Sequence, residues 1–199
     1  DIKGIGWEPK LLFDIGKAKL QGGIQAKEGI GFVGYGTLRS KKVIEGREIS
    51  RLNQLVEWFG ANYDGVIVFD ESHNMGNALP VKGQRGTTKP SATALAGVEL
   101  QRRLPQARIV YVSATGATEV MNFAYAERLG LWGDKTPFPN ALSFVTSISA
   151  GGISAMEMVA MNMKANGVYM ARSLAYDDVK YERLEHPLTT EQRAIYDEL

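Results

Sequence analysis

Apolar side chains along this chain follow two rhythms. In Arg47 to Gly60, Leu52, Leu55, Val56 and Phe59 recur at i, i+3, i+4 and i+7, the spacing of one helix face, and Gly60 closes the pattern. Gly65 to Phe69 (GVIVF) and Arg108 to Val112 (RIVYV) are instead continuous, β-branched runs. Such runs predict strands buried on both faces in a parallel sheet. Gly29 to Tyr35 (GIGFVGY) reads as a short buried strand entering a turn at Tyr35 to Ser40, and Lys82 to Pro90 as a polar, basic loop. Ser91 is suited to cap a helix that runs to about Arg103 and is stopped by Pro105. Further helices are expected over Thr118 to Gly130, Ile153 to Asn166 and Thr190 to Leu199, a strand over Ser143 to Ser147, and an extended stretch over Val179 to Pro187.

Strands alternating with helices imply a layered α/β sheet with right-handed crossovers. The glycines gather at junctions between these elements, and no internal repeat or low-complexity tract interrupts them. With 199 residues, 44% of them hydrophobic, the chain can build one ordinary core. It opens with Asp1 and stops at Leu199 within a predicted helix, so an excised fragment is expected.

Charge and composition narrow the chemistry. A formal net charge of +1 argues against whole-surface attraction to nucleic acid and leaves only local basic patches. The absence of cysteine excludes disulfides, thiolate zinc and cysteine nucleophiles, and two histidines leave little for a histidine metal cluster. No run approaches the roughly 18 apolar residues of a membrane span, and no signal peptide pattern opens the chain, so an intracellular protein is expected.

The most informative stretch is Val66 to His73, VIVFDESH, where an apolar strand ends in two adjacent carboxylates. Ligands of open α/β sheets bind at the carboxyl ends of strands. Asp70 there suits Mg²⁺, which is held through few carboxylates plus phosphates and water, and Glu71 suits positioning or deprotonating an attacking water. An acidic turn is also a common way simply to end a strand. About forty residues on, however, the second buried strand ends in Ser113-Ala114-Thr115-Gly116, whose small hydroxyl side chains can bond a neighbouring carboxylate or histidine. Two strands ending in DESH and SATG with one helix between them favour a site over two unrelated turns.

DESH followed by SATG resembles the DExH box and SAT motif of superfamily 2 helicases and translocases. Ala107 to Gly133 (ARIVYVSATGATEVMNFAYAERLGLWG) is similar to the strawberry notch family of helicase-like proteins. So is the stretch from Met156 to Leu199 (MEMVAMNMKANGVYMARSLAYDDVKYERLEHPLTTEQRAIYDEL), and Tyr35 to Ser40 matches the position of the family's YxTL stretch. The resemblance covers the chain from about Gly29 onward. It implies a RecA-like (P-loop NTPase) three-layer α/β sandwich with a mainly parallel sheet, incomplete at the N-terminus. Residues 1–178 would be a partial first motor lobe and 179–199 a segment leading toward the second lobe.

By the same resemblance Asp70 would coordinate Mg²⁺ on ATP, Glu71 would be the catalytic base, and His73 would couple nucleotide state to Ser113 and Thr115. Ser72 stands where many relatives carry alanine or cysteine, and no effect on catalysis is expected from it. Some bacterial and phage relatives are joined to an adenine methyltransferase, of which no motif is visible here; a bacterial or phage source would make this protein cytoplasmic. The sequence GxxxxGK[ST] does not occur, and Gly16-Lys17-Ala18 lacks its hydroxyl residue and upstream glycine. Without the loop that cradles phosphates the isolated chain is expected not to hydrolyse ATP, whereas the parent protein is.

Nucleic acid, DNA ahead of RNA, is the expected partner. Lys82 to Arg108 holds six basic residues (Lys82, Arg85, Lys89, Arg102, Arg103, Arg108) against Glu99 alone. Thr37, Arg39 and Lys41 form a second candidate contact with a phosphate backbone. A solvated charged face accounts for either group equally well. Trp58 and Trp132 are expected in the core, as is Trp7. The alternative from another class is a non-catalytic interaction module that keeps the fold and binds chromatin or another protein. Retention of Asp70, Glu71, His73, Ser113 and Thr115 argues against it. A Mg²⁺-dependent hydrolase of another kind has only Asp64 and Glu119 as further carboxylates.

Overall fold

A computed structural model describes residues 12–83, 86–114, 120–171, 180 and 182–197. Its central feature is a parallel pair. β5 (Val66–Phe69) lies beside β8 (Arg108–Tyr111) with Val66 opposite Arg108 and Phe69 opposite Tyr111. The crossover between them is α3 (Ala92–Arg103). The Ser91 hydroxyl caps α3 by accepting from the Ala94 amide at 3.1 Å. At its other end the Arg128 guanidinium donates to the carbonyls of Gln101 (2.8 Å) and Leu104 (2.9 Å), which the helix itself leaves unsatisfied. The result is a small α/β core whose parallel sheet, among the described residues, has only two strands, short of a complete RecA-like sheet.

The two strands are not buried on both faces as their composition predicts. Phe69 is buried and Ile67, Ile109 and Tyr111 pack against the core, where the Tyr111 hydroxyl donates to Gln101 of α3. On the opposite face Val66, Val68, Val110 and Val112 remain 52%, 57%, 44% and 44% exposed. A strand run without alternation is therefore covered on one side only by the described residues.

A second parallel pair joins β1 (Leu12–Asp14) to β2 (Ile30–Phe32), and α1 (Tyr35–Leu38) follows, occupying the predicted turn. The helix expected from Arg47 begins later. Residues 47–50 form β4 (Arg47–Ser50), paired antiparallel with β3 (Lys41–Ile44) through a turn in which Glu45 and Gly46 both have positive φ. That two-residue geometry matches the right-handed twist of a hairpin. Ser50 then caps α2 (Arg51–Phe59), and buried Arg51 donates to the Ala18 carbonyl at 2.8 Å, which ties α2 to the loop after β1.

Other boundaries also moved. The basic loop after Lys82 contains a hairpin, β6 (Val81–Gly83) with β7 (Gly86–Thr88). In place of a strand at 143–147 there is α4 (Ala141–Ala150), started by Asn140, whose side chain accepts from the Ser143 amide at 2.9 Å. Phe144 of α4 packs against the rings of Trp132 and Phe138, and Val145 is buried beside it in sequence, so packing overrides β-branched propensity there. The helix expected over 118–130 is reduced, among the described residues, to a 3-10 turn (Val120–Phe123) followed by irregular chain. Its backbone is used elsewhere, because the Tyr125 carbonyl accepts from Gln101 and the Arg128 side chain caps α3. α5 (Gly152–Ala165) and α6 (Thr190–Asp197) fall close to their predicted limits. Trp58 and Trp132 pack against the core as expected, while Trp7 lies outside the described residues.

Gln101 is the polar centre of this arrangement. Fully buried, it donates to the carbonyls of Gly97 (3.1 Å) and Tyr125 (3.0 Å) and accepts from Tyr111. Gln101→Leu keeps the volume but takes away the acceptor of the Tyr111 hydroxyl and one of the two donors to the Tyr125 carbonyl, which keeps the Glu127 amide at 3.0 Å. It is expected to destabilise the fold by about 1–3 kcal/mol. Urea unfolding reads this as a lower midpoint at unchanged slope; an unchanged midpoint would mean that the amide is dispensable.

Candidate nucleotide site

The site is built from the carboxyl ends of β5 and β8. After Phe69 the chain turns through Asp70 and Glu71 into a 3-10 turn (Ser72–Met75), and this turn is stitched to the neighbouring strand. The Val112 amide donates to the Phe69 carbonyl at 2.9 Å, and the Ser72 amide donates to the Val112 carbonyl at 2.8 Å. Parallel pairing thus continues one step past both strands and holds the acidic turn against the start of Ser113-Ala114.

Glu71 sits in the left-handed region, with φ 48° and ψ 47°. A non-glycine residue there costs on the order of 1–3 kcal/mol and persists only where its surroundings impose it. The surroundings do so on both sides. The Asp70 Oδ1 accepts from the Glu71 amide at 3.0 Å, and the Glu71 carbonyl accepts from the Asn74 amide and from Asn74 Nδ2, both at 3.0 Å. The strained backbone projects the Asp70 and Glu71 side chains into solvent, both exposed, instead of back onto the sheet.

His73 bridges the two strand ends. Its Nδ1 lies 3.2 Å from Glu71 Oε2 and 3.0 Å from Ser113 Oγ, with the imidazole 47% and the Glu71 side chain 52% exposed. In the neutral ring, one nitrogen donates and the other accepts, so Nδ1–H can serve the carboxylate or the hydroxyl. The sequence-predicted set of Asp70, Glu71, His73 and Ser113 therefore converges in space. Thr115 lies outside the described residues.

Two tyrosines and Ser72 complete the turn, and sequence reasoning missed all three. Ser72 is 2% exposed and its Oγ accepts from the Tyr125 hydroxyl at 3.0 Å. The Tyr35 hydroxyl, from the first position of α1, donates to the Asp70 carbonyl at 2.8 Å. Burial raises the Tyr35 phenol to about 12, with Tyr125, Asp70 and Glu71 adding to it, and burial likewise raises Tyr125. Both groups thereby stay protonated donors. The DESH letters carry no signal for the contacts at Ser72, because a hydroxyl bond across 53 residues leaves no local pattern.

The candidate polymer contacts are less assembled. Thr37 is half-buried beside Arg39, which is exposed, at the end of α1. Lys41 is paired with Glu48 at 2.9 Å across the β3–β4 hairpin. Of the later basic group, Arg102 is paired with Glu127 at 2.7 Å and Arg103 donates to Asn53, whereas Lys89 and Arg108 are exposed. Lys82 lies in β6, and Arg85 is outside the described residues.

Among the described residues no group of three or more acidic or histidine side chains is placed to hold a metal. One exposed carboxylate at a strand end, oriented through its own turn, fits a Mg²⁺ ion that takes most of its ligands from phosphate and water. Nor, among the described residues, is any helix long and apolar enough to cross a membrane.

Comparison with known proteins defines the class: residues 1–198 match the family described as P-loop containing NTP hydrolase pore-1. Relatives then fix the family. The chain is 41% identical to Protein strawberry notch homolog 1 of Gallus gallus (98% of this chain, 16% of that protein) and 44% identical to Protein strawberry notch of Drosophila melanogaster (86% and 10%). It is also 42% identical to Protein FORGETTER 1 of Arabidopsis thaliana (85% and 13%). The chain belongs to the strawberry notch family of P-loop NTP hydrolases, and it spans 16% or less of the length of these three relatives. No solved structure matches it.

The raised Tyr35 phenol has a measurable sign. A tyrosine whose folded value lies above its ordinary value near 10 contributes stability that is complete below about pH 10 and lost as pH rises through about 12. Phenolate absorbance of the wild type minus that of Tyr35→Phe should rise with a midpoint near pH 12; a midpoint near 10 would contradict the buried donor.

Proposed function

We propose that this chain is the part of a helicase-like motor that supplies the water-activating and metal-holding side of an ATP site, acting on nucleic acid within a longer protein. The observation that carries the reading is the bridge of His73 between Glu71 Oε2 and Ser113 Oγ at the ends of adjacent parallel strands. A merely structural turn has no need of an exposed, strained glutamate facing a histidine. Membership of a P-loop NTP hydrolase family supports hydrolysis as the reaction class.

In this reading Asp70 holds Mg²⁺ through its carboxylate, and the ion supplies charge neutralisation on the phosphate oxygens of ATP. Glu71 orients the attacking water and accepts its proton. General-base assistance of this sort is worth about 10²–10⁴ in rate. His73 holds the Glu71 carboxylate toward the cleft and couples its state to Ser113 and Thr115. Thr37 and Arg39, with Lys82, Arg85 and Lys89 as a second group, contact the sugar-phosphate backbone, DNA ahead of RNA. The phosphate-gripping GxxxxGK[ST] loop comes from a part of the protein outside these 199 residues, as does the second motor lobe toward which residues 179–199 lead.

The experiment is ATP hydrolysis by the full-length protein, with and without DNA or RNA, beside its Glu71→Gln variant. Turnover that a polymer stimulates and that falls about 100-fold or more in Glu71→Gln is the expected result. A folded, ATP-binding protein without turnover would favour the interaction module. The 199-residue chain alone is expected to be inactive under the same conditions.

A further inference from the structure

The Tyr35 hydroxyl grips one particular peptide unit. The Asp70 carbonyl that it bonds and the Glu71 amide belong to the same rigid plane. The Tyr35 hydroxyl holds one edge of that plane at 2.8 Å, and Asp70 Oδ1 holds the other at 3.0 Å. Rotation of this plane is rotation about ψ of Asp70 and φ of Glu71, and φ of Glu71 is the strained angle of 48°. A pull on the Tyr35 ring is therefore applied to the torsion that aims the Glu71 carboxylate.

The other end of this lever is the candidate polymer contact. Tyr35, Thr37 and Arg39 share one helical turn, closed by the Leu38 amide on the Gly34 carbonyl at 2.9 Å and the Arg39 amide on the Tyr35 carbonyl at 3.3 Å. Ser40 locks that turn from behind, donating through its hydroxyl to the Thr37 carbonyl at 2.6 Å and accepting at its own carbonyl from the Arg51 amide at 3.0 Å. Buried Leu38 seats the turn in the core, against α2 and α3. These bonds and the buried Leu38 hold the turn from Gly34 to Ser40 together as one unit that carries Thr37, Arg39 and Tyr35.

We infer that Tyr35 is a positioning residue that couples occupancy of the Thr37 and Arg39 surface by a nucleic-acid strand to the aim of Glu71. The inference deepens the motor reading and rests on it. Tyr125 provides the contrast. It reaches the same turn at Ser72, on the far side of Glu71, comes from the chain after β8, and lies near enough to the Tyr35 phenol to help raise it. Tyr125 sets the rigidity of the turn, whereas Tyr35 ties the turn to the strand-contacting surface.

The test compares full-length wild type, Tyr35→Phe and Tyr125→Phe for ATP turnover with and without a single-stranded oligonucleotide, for the KM of ATP, and for oligonucleotide affinity. The net worth of one neutral hydrogen bond corresponds to about threefold to tenfold. Tyr35→Phe should lose that much of the ratio of stimulated to unstimulated turnover, with oligonucleotide affinity and KM within about twofold of wild type. Tyr125→Phe should change both rates alike and keep the ratio. Retention of the full ratio in Tyr35→Phe, or an equal loss in both variants, would overturn the coupling role while leaving the motor reading intact. Absence of stimulation in the wild type would instead remove the motor reading, and this inference with it.

Discussion

Two segments far apart in sequence meet because β5 and β8 pair in parallel with Phe69 opposite Tyr111. A slip of one residue would reverse which side chains face α3 and would carry the Val112 carbonyl away from the Ser72 amide. Both the buried face and the acidic turn depend on that register. Tyr111, fixed on the inner face, bonds Gln101; Gln101 holds the carbonyl of Tyr125; and Tyr125 returns to Ser72 at the start of the turn. A closed circuit of buried hydrogen bonds thus runs from the sheet through α3 to the site. Every polar group in such a circuit needs its partner, because in a low dielectric an unmade bond costs more than a made one returns.

Strain at Glu71 follows from the same constraint. The Ser72 amide is pinned to β8 and the Asp70 carbonyl to Tyr35, so the residue between them has little choice of backbone angle. The penalty of on the order of 1–3 kcal/mol is comparable with two or three ordinary hydrogen bonds, and the turn makes that many around Glu71. The outcome is a glutamate held outward beside His73, in a conformation that a relaxed turn would not keep.

Much of this was legible in the sequence. GVIVF and RIVYV announced two strands, Ser91 and Pro105 bracketed α3, and the letters DESH and SATG marked where the strands would end together. Elements that depend on distant partners were not legible. The β-branched stretch around Val145 reads as a strand until Trp132 and Phe138 supply a surface for a helix, and the chain after Val120 reads as a helix until Gln101 and Arg128 draw its polar groups elsewhere. At the candidate site, the carboxylates and histidine were singled out by type and position, and the structure places Glu71 and His73 side by side. Ser72 was set aside as a variable position, and the two tyrosines passed unnoticed as site residues, since their role is a hydroxyl meeting a turn from 35 and 53 residues away. The two-sided burial expected of β5 and β8 failed because run composition reports what a strand tolerates on each face, not which face the described residues cover.

The central claim, that the DESH turn is one wall of a nucleotide site, is tested most directly by a structure of the full-length protein with Mg²⁺ and a non-hydrolysable ATP analogue. The account predicts Asp70 at the metal, directly or through one of its waters, and Glu71, still beside His73, facing the terminal phosphate. Nucleotide bound elsewhere, with Asp70 and Glu71 remaining in open solvent, would contradict it.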